Sequence, residues 1–289
     1  MKEFTNKLKV FFLSAIALTV ITSALFTVSM FTAFDADMGY FSSSSLLTYI
    51  QKAVIIVSVL FFASIAIFIP KKVLPSQSPS SPIFTMYATL ACGFFFVIGA
   101  IIFYNIHSND AEWMQDTART VFAVASATGY AATVYFLICG ITAPKKYLPI
   151  KVITAIFVIA NLLLFIIFEH LDYFVTINSV RKTMVFISFA MAIMFLAQDL
   201  RFKAGIGQPR AYFFFGTTTM LLCATTSISH IIAHYAGVLK DSSFLVYYLI
   251  GLGLALYSFA HLLDYVKFVN YLAEHADDSS ELTDESTEV

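Results

Sequence analysis

The sequence is poor in charge. Of its 289 residues only 12% are Asp, Glu, Lys or Arg, about half the share of an ordinary soluble domain. That scarcity excludes a water-facing surface over most of the chain. The net charge is −1, so there is neither a basic field suited to nucleic acid nor a global acidic field suited to a cationic partner. Cysteine is scarce too. Cys92, Cys139 and Cys223 lie inside apolar runs with no redox or zinc-knuckle spacing, and they read as small packing residues. There is no glycine-rich phosphate loop, no H-E-x-x-H and no G-x-S-x-G. No apolar run carries an Asp or Glu at mid-membrane, which argues against a proton- or sodium-coupled carrier.

What the chain has in excess is apolar surface. The apolar share is 59%, with 31 Phe and 15 Tyr, and the mean hydropathy is +0.82. A helix needs roughly 20 apolar residues to cross about 30 Å of hydrocarbon. Eight runs meet or approach that length: 10–34, 46–69, 83–106, 120–143, 150–168, 175–198, 211–234 and 244–269. The expected fold class is therefore an all-α membrane protein, a bundle of about eight transmembrane helices. The fifth run is short. The sixth carries Arg181 and Lys182 near its start, where their charges would snorkel to a headgroup layer.

With the N-terminus in the cytoplasm, one side of the membrane collects twelve of the 17 Lys and Arg residues and the other five. This asymmetry predicts cytoplasmic termini and a bacterial plasma membrane. A signal peptide is the alternative for the first run, but its apolar stretch of about 25 residues exceeds the 7–15 of a cleaved signal. The bilayer is the expected partner, with an oligomer or membrane-complex partner left open.

Two loops match: Pro70-Lys-Lys-Val-Leu-Pro75 and Pro144-Lys-Lys-Tyr-Leu-Pro149. Proline ends and restarts helices, and paired lysines favour an anionic leaflet. The match suggests two-helix hairpin repeats, although basic loops punctuated by proline also converge on this form. Residues 1–270 are expected to form the bundle. Residues 271–289 are rich in Asp and Glu without Lys or Arg, and are expected to be a disordered cytoplasmic tail.

Polar side chains in membrane helices mark candidate sites. In the seventh run Thr219, Cys223, Thr226, His230 and His234 recur at helical spacing and share one face, which Thr225, Ser227 and Ser229 widen. Such a face should line the bundle interior or a wet cavity. His230 and His234 are one turn apart and suit a divalent ion such as Zn²⁺. At 1.5 Å per residue, His230 lies about 28 Å from the inner end of its helix. That height matches His170, Glu169 and Asp172 at the end of the fifth run, the candidate further ligands. His261, Asp264 and Lys267 share a face of the eighth run and are expected to form an ion-pair ladder. Asn161 is expected to bridge two helices.

Locally, Thr226, His230 and His234 resemble the S-x-x-x-H and H-x-x-x-H patterns of seven-span ceramidase-like hydrolases, with Thr where the motif has Ser. That resemblance implies a metal-bound water attacking a lipid, with Glu169 or Asp172 as base. The reading favoured by the missing catalytic acids is instead non-enzymatic: binding or passage of a small solute along the Thr219–His234 face. A third reading is an accessory subunit of a membrane complex.

Overall fold

The computed structural model describes residues 2–35, 40–42, 45–69, 83–108, 116–171, 179–239 and 244–274. Among them run eight long helices: α1 (Lys2–Thr32), α2 (Leu46–Phe68), α3 (Ile83–Ser108), α4 (Asp116–Ile141), α5 (Leu148–Leu171), α6 (Val180–Lys203), α7 (Pro209–Tyr235) and α8 (Leu245–Glu274). A two-residue antiparallel pair, β1 (Phe34–Asp35) with β2 (Tyr40–Phe41), follows α1. All eight helices are long and apolar enough to span a membrane. The expected all-α, eight-span bundle is the architecture found.

Local chemistry sets the helix ends. α6 closes in a Schellman turn: Gly205 takes φ +80°, its N–H donates to the Phe202 carbonyl, and the Ile206 N–H donates to Arg201. Gly237 closes α7 in the same way, with φ +78° and N–H donation from Gly237 to His234 and from Val238 to Ala233. Pro209 opens α7 in its first turn, where a missing N–H removes no helical bond.

The sixth helix departs from expectation. Its boundary moves about five residues toward the C-terminus, because Ser179 caps the helix by accepting from the Lys182 N–H at 3.2 Å. Arg181 and Lys182 therefore occupy the first turn, where both are buried within the bundle. The Arg181 guanidinium lies 3.3 Å from the centre of the Phe244 ring, a cation–π contact. At the other end the helix continues through Asp199 to Lys203, five residues past the end of the sixth apolar run.

α3 through α8 each pack on the next, and α8 packs back against α3, so the six close into a ring. α1 lies against α7 and α8, and α2 against α1 and α7. α7 is the least apolar of the eight yet the most enclosed, whereas α2 is the least enclosed. Polar residues inside and apolar residues outside is the pattern a bilayer selects, since lipid cannot satisfy a hydroxyl. Leu46, Phe68 and Ile141 are among the large apolar side chains left on the outer surface.

Asn161 does bridge helices. Its Nδ2 donates to the Ala125 carbonyl (2.8 Å) and to Thr128 Oγ1 (3.2 Å), tying α5 to α4. The three cysteines are free and buried. Pro70–Pro75, Asp172 and residues 275–289 lie outside the described residues, while 271–274 continue α8.

Close approach of α3 to α4 rests on Gly129, where an added Cβ would stand 2.9 Å from the Ala100 Cβ. Neither atom sits on a flexible stem, so the helices must part. Gly129→Ala is expected to destabilise the detergent-solubilised protein by about 1–3 kcal/mol, read by thermal unfolding. A stabilised variant would contradict this packing.

Candidate functional site

Helical spacing aligns six residues on one face of α7: Tyr212, Gly216, Thr219, Cys223, Thr226 and His230. On α6 the same periodicity aligns Ser188, Ala192, Phe195 and Asp199. The two faces meet. Ser188 and Thr226 hydroxyls are 3.3 Å apart, the Cys223 thiol is 3.7 Å from the Ser188 carbonyl, and Tyr212 points its hydroxyl at Asp199 Oδ1 from 3.5 Å. The face recognised on α7 therefore runs on past Thr219 and ends at an ionisable cluster.

Asp199 is the centre of that cluster. Its Oδ2 accepts from the Lys203 ammonium at 2.6 Å, one helical turn on, and from the Tyr257 hydroxyl of α8 at 2.5 Å. Its Oδ1 faces His261 Nδ1 at 3.3 Å. Lys203 donates further to Tyr257 (3.1 Å), to Tyr135 of α4 (3.3 Å) and to the Cys139 sulfur (3.6 Å). The Tyr135 and Tyr257 hydroxyls are 3.4 Å apart. On α3, Thr89 Oγ1 stands 3.3 Å from His261 Nε2. Five helices thus contribute to one cluster, three of them directly to the carboxylate, at the end of the bundle where α4 and α6 finish and α3 and α7 begin.

Aromatic rings wall the cluster. Tyr257 packs on His261 with centroids 4.1 Å apart, Phe202 on Tyr212 at 4.2 Å, and Phe195 on Tyr212 at 5.2 Å. Exclusion of water strengthens each charge-assisted hydrogen bond, and it also makes an unmatched charge expensive. Asp199 with four facing donors and Lys203 with four facing acceptors meet that demand.

The residues singled out from sequence have separate fates. His230 is buried; its Nδ1 lies 2.7 Å from the Thr226 carbonyl, and its ring stacks on Tyr248 at 4.3 Å and against Phe26 of α1. Thr225 and Ser229 hydrogen bond to Ser23 and Thr27 of α1, so part of the stripe is a helix seam. Thr219 is buried, and its hydroxyl has no hydrogen-bond partner among the described residues. His234 is half-buried against Tyr235. Glu169 is buried and His170 exposed on α5, and α5 and α7 both pack on α6. Among the described residues no three His, Cys, Asp or Glu side chains stand together as a metal site. The ladder expected along α8 is also revised: His261 pairs across to Asp199 of α6.

Sequence reasoning missed Asp199, Lys203, Tyr257, Tyr135 and Tyr212. The legible signal was the acid-to-base spacing of four between Asp199 and Lys203, which falls just past the point where the apolar run ends.

Fold and site together define a polytopic helical membrane protein with an ionisable cluster buried in its bundle. No protein-family model matches the chain, and neither a curated protein nor a solved structure matches it.

Removing one partner of a buried ion pair leaves an uncompensated charge. Lys203→Met is expected to destabilise the protein by about 3–5 kcal/mol, and the Asp199→Asn/Lys203→Met double variant by less than the sum of the singles. Additive losses in denaturant unfolding would show that the two groups do not depend on each other.

Proposed function

We propose that this chain is a non-enzymatic membrane protein that binds or passes a small polar solute through its bundle. The route follows the Thr219–His230 face of α7, and the Asp199 cluster forms its polar end. One observation carries the reading: a carboxylate is held by donors from α6, α7 and α8 inside an otherwise apolar bundle. Apolar packing would join these helices without the desolvation cost of an ion pair. Ionisable groups retained inside membrane bundles are ordinarily tied to solutes or ions. The unpartnered Thr219 hydroxyl, about one turn from Gly216 and about two from Tyr212 on the same face, supports a route that offers hydrogen bonds along α7. The Lys/Arg asymmetry supports a plasma membrane with the Asp199 end toward the cytoplasm.

Phe195 and Leu262 lie along this route. A Cβ added at Gly216 would stand 2.9 Å from a carbon of each, so both pack against α7 between Thr219 and Tyr212.

Full-length protein in detergent is to be screened against small polar solutes by thermal unfolding. A true ligand at a hundred times its Kd adds about 2.7 kcal/mol of stability. That gain is expected in the wild type and is expected to fall by at least half in Tyr257→Phe, which keeps the ring and removes the hydroxyl on Asp199. Equal gains in both proteins would put binding elsewhere and overturn the reading.

A further inference from the structure

The hydrogen-bond geometry of His261 admits a neutral or a charged ring, and the two differ in where one neighbouring hydroxyl hydrogen points. Its Nδ1 faces the Asp199 carboxylate, an acceptor only, and must carry a hydrogen to bond there. Its Nε2 faces Thr89 Oγ1 at 3.3 Å. Thr89 has one hydroxyl hydrogen, and that hydroxyl lies 2.7 Å from the Thr85 carbonyl of the preceding helical turn, which is also an acceptor only. With the hydrogen directed to Thr85, Thr89 presents lone pairs to Nε2, and the contact is a hydrogen bond only when Nε2 carries a hydrogen as well. Both nitrogens then donate, which is the imidazolium. In the neutral ring the Thr89 hydrogen must turn from Thr85 to Nε2.

We propose that His261 exchanges one proton with water and is the proton-coupled element of the solute site, with Thr89 as the hydroxyl that turns between its two partners. The proposal rests on the solute reading above. A proton from water binds the Nε2 lone pair. The Thr89 hydroxyl changes from donor to acceptor toward the ring, and its hydrogen moves to the Thr85 carbonyl. No other bond changes. The Asp199, Lys203 and His261 group passes from net zero charge to net +1, so His261 then competes with Lys203 for the same carboxylate. A solute that bonds to this end of α7 meets a different charge in each state, which is the differential interaction coupling requires.

The surroundings of His261 fit one proton and no second. From α6 it meets Asp199 and Lys203. From α7 Tyr212 approaches the same carboxylate, and from α3 comes the Thr89 hydroxyl. Its own helix brings Tyr257 against the ring and Asp264 one turn on, and the described contacts of the ring include no group from α1. The His261 side chain keeps 13% exposure against 3% for Asp199, so it is the less enclosed member of the pair.

The test is nitrogen NMR of the imidazole rings in full-length protein labelled with ¹⁵N-histidine and held in detergent. The His261 ring is assigned by its loss in His261→Gln. The expected result is a reversible change between one and two N–H groups on that ring between neutral pH and the lowest pH at which the protein stays folded. In Thr89→Val the Nε2–H signal is expected to lose its hydrogen-bonded shift while the Nδ1–H signal stays, and Thr89→Ser is expected to restore it. A ring fixed in one protonation state across that span would overturn the proposal, as would a Thr89→Val spectrum unchanged from the wild type. These readouts need no solute, so they can fail while solute binding stands. Conversely, equal solute stabilisation of wild type and Tyr257→Phe would leave the proton exchange intact and remove only its coupling.

Discussion

A carboxylate cannot be left bare inside an apolar bundle, and the arrangement of one end of this protein follows from that constraint. Asp199 draws Lys203 from its own helix, Tyr212 from α7, and Tyr257 and His261 from α8. Lys203 in turn draws Tyr135 and Cys139 from α4, and His261 draws Thr89 from α3. Each partner satisfies one more valence of the group before it, so five helices are placed by a chain of hydrogen bonds that begins at one charge. The remainder of the bundle holds by close packing and isolated polar bridges, such as Asn161 between α4 and α5.

The architecture was open to a reading of the sequence because its cause is one-dimensional. Twenty apolar residues in a row need no tertiary context to be recognised, and the number of helices follows from counting them. Asn161 was legible for a similar reason, since an amide in lipid must find a carbonyl or hydroxyl nearby. Helix ends were less legible. Ser179 and the Gly205 turn shift α6 toward the C-terminus, and hydropathy alone stops the run before Asp199 because charge lowers the average. In this bundle the charge lies inside the helix because its partner sits one turn away.

The site was half legible. The α7 face was found from spacing; four of its residues are buried, and two of them, Cys223 and Thr226, meet α6. Its extension past Thr219 to Tyr212, which reaches Asp199, was not read from the spacing. His261 was recognised as paired, but with an acid on its own helix, because contacts three apart are visible in sequence and contacts between α6 and α8 are not. The tyrosines carried no signal, since aromatic residues near helix ends are also the ordinary belt of a membrane protein.

The account turns on Asp199 being an ionised carboxylate within the bundle. Isotope-edited infrared spectroscopy on protein with ¹³C-labelled aspartate, as a difference between wild type and Asp199→Asn at neutral pH, measures this directly. The account predicts that the variant loses the paired bands of an ionised carboxylate and no others in the carboxyl region. Loss of a protonated carboxyl band instead would mean that Asp199 is neutral, and that Lys203, Tyr257 and His261 are not gathered there by its charge.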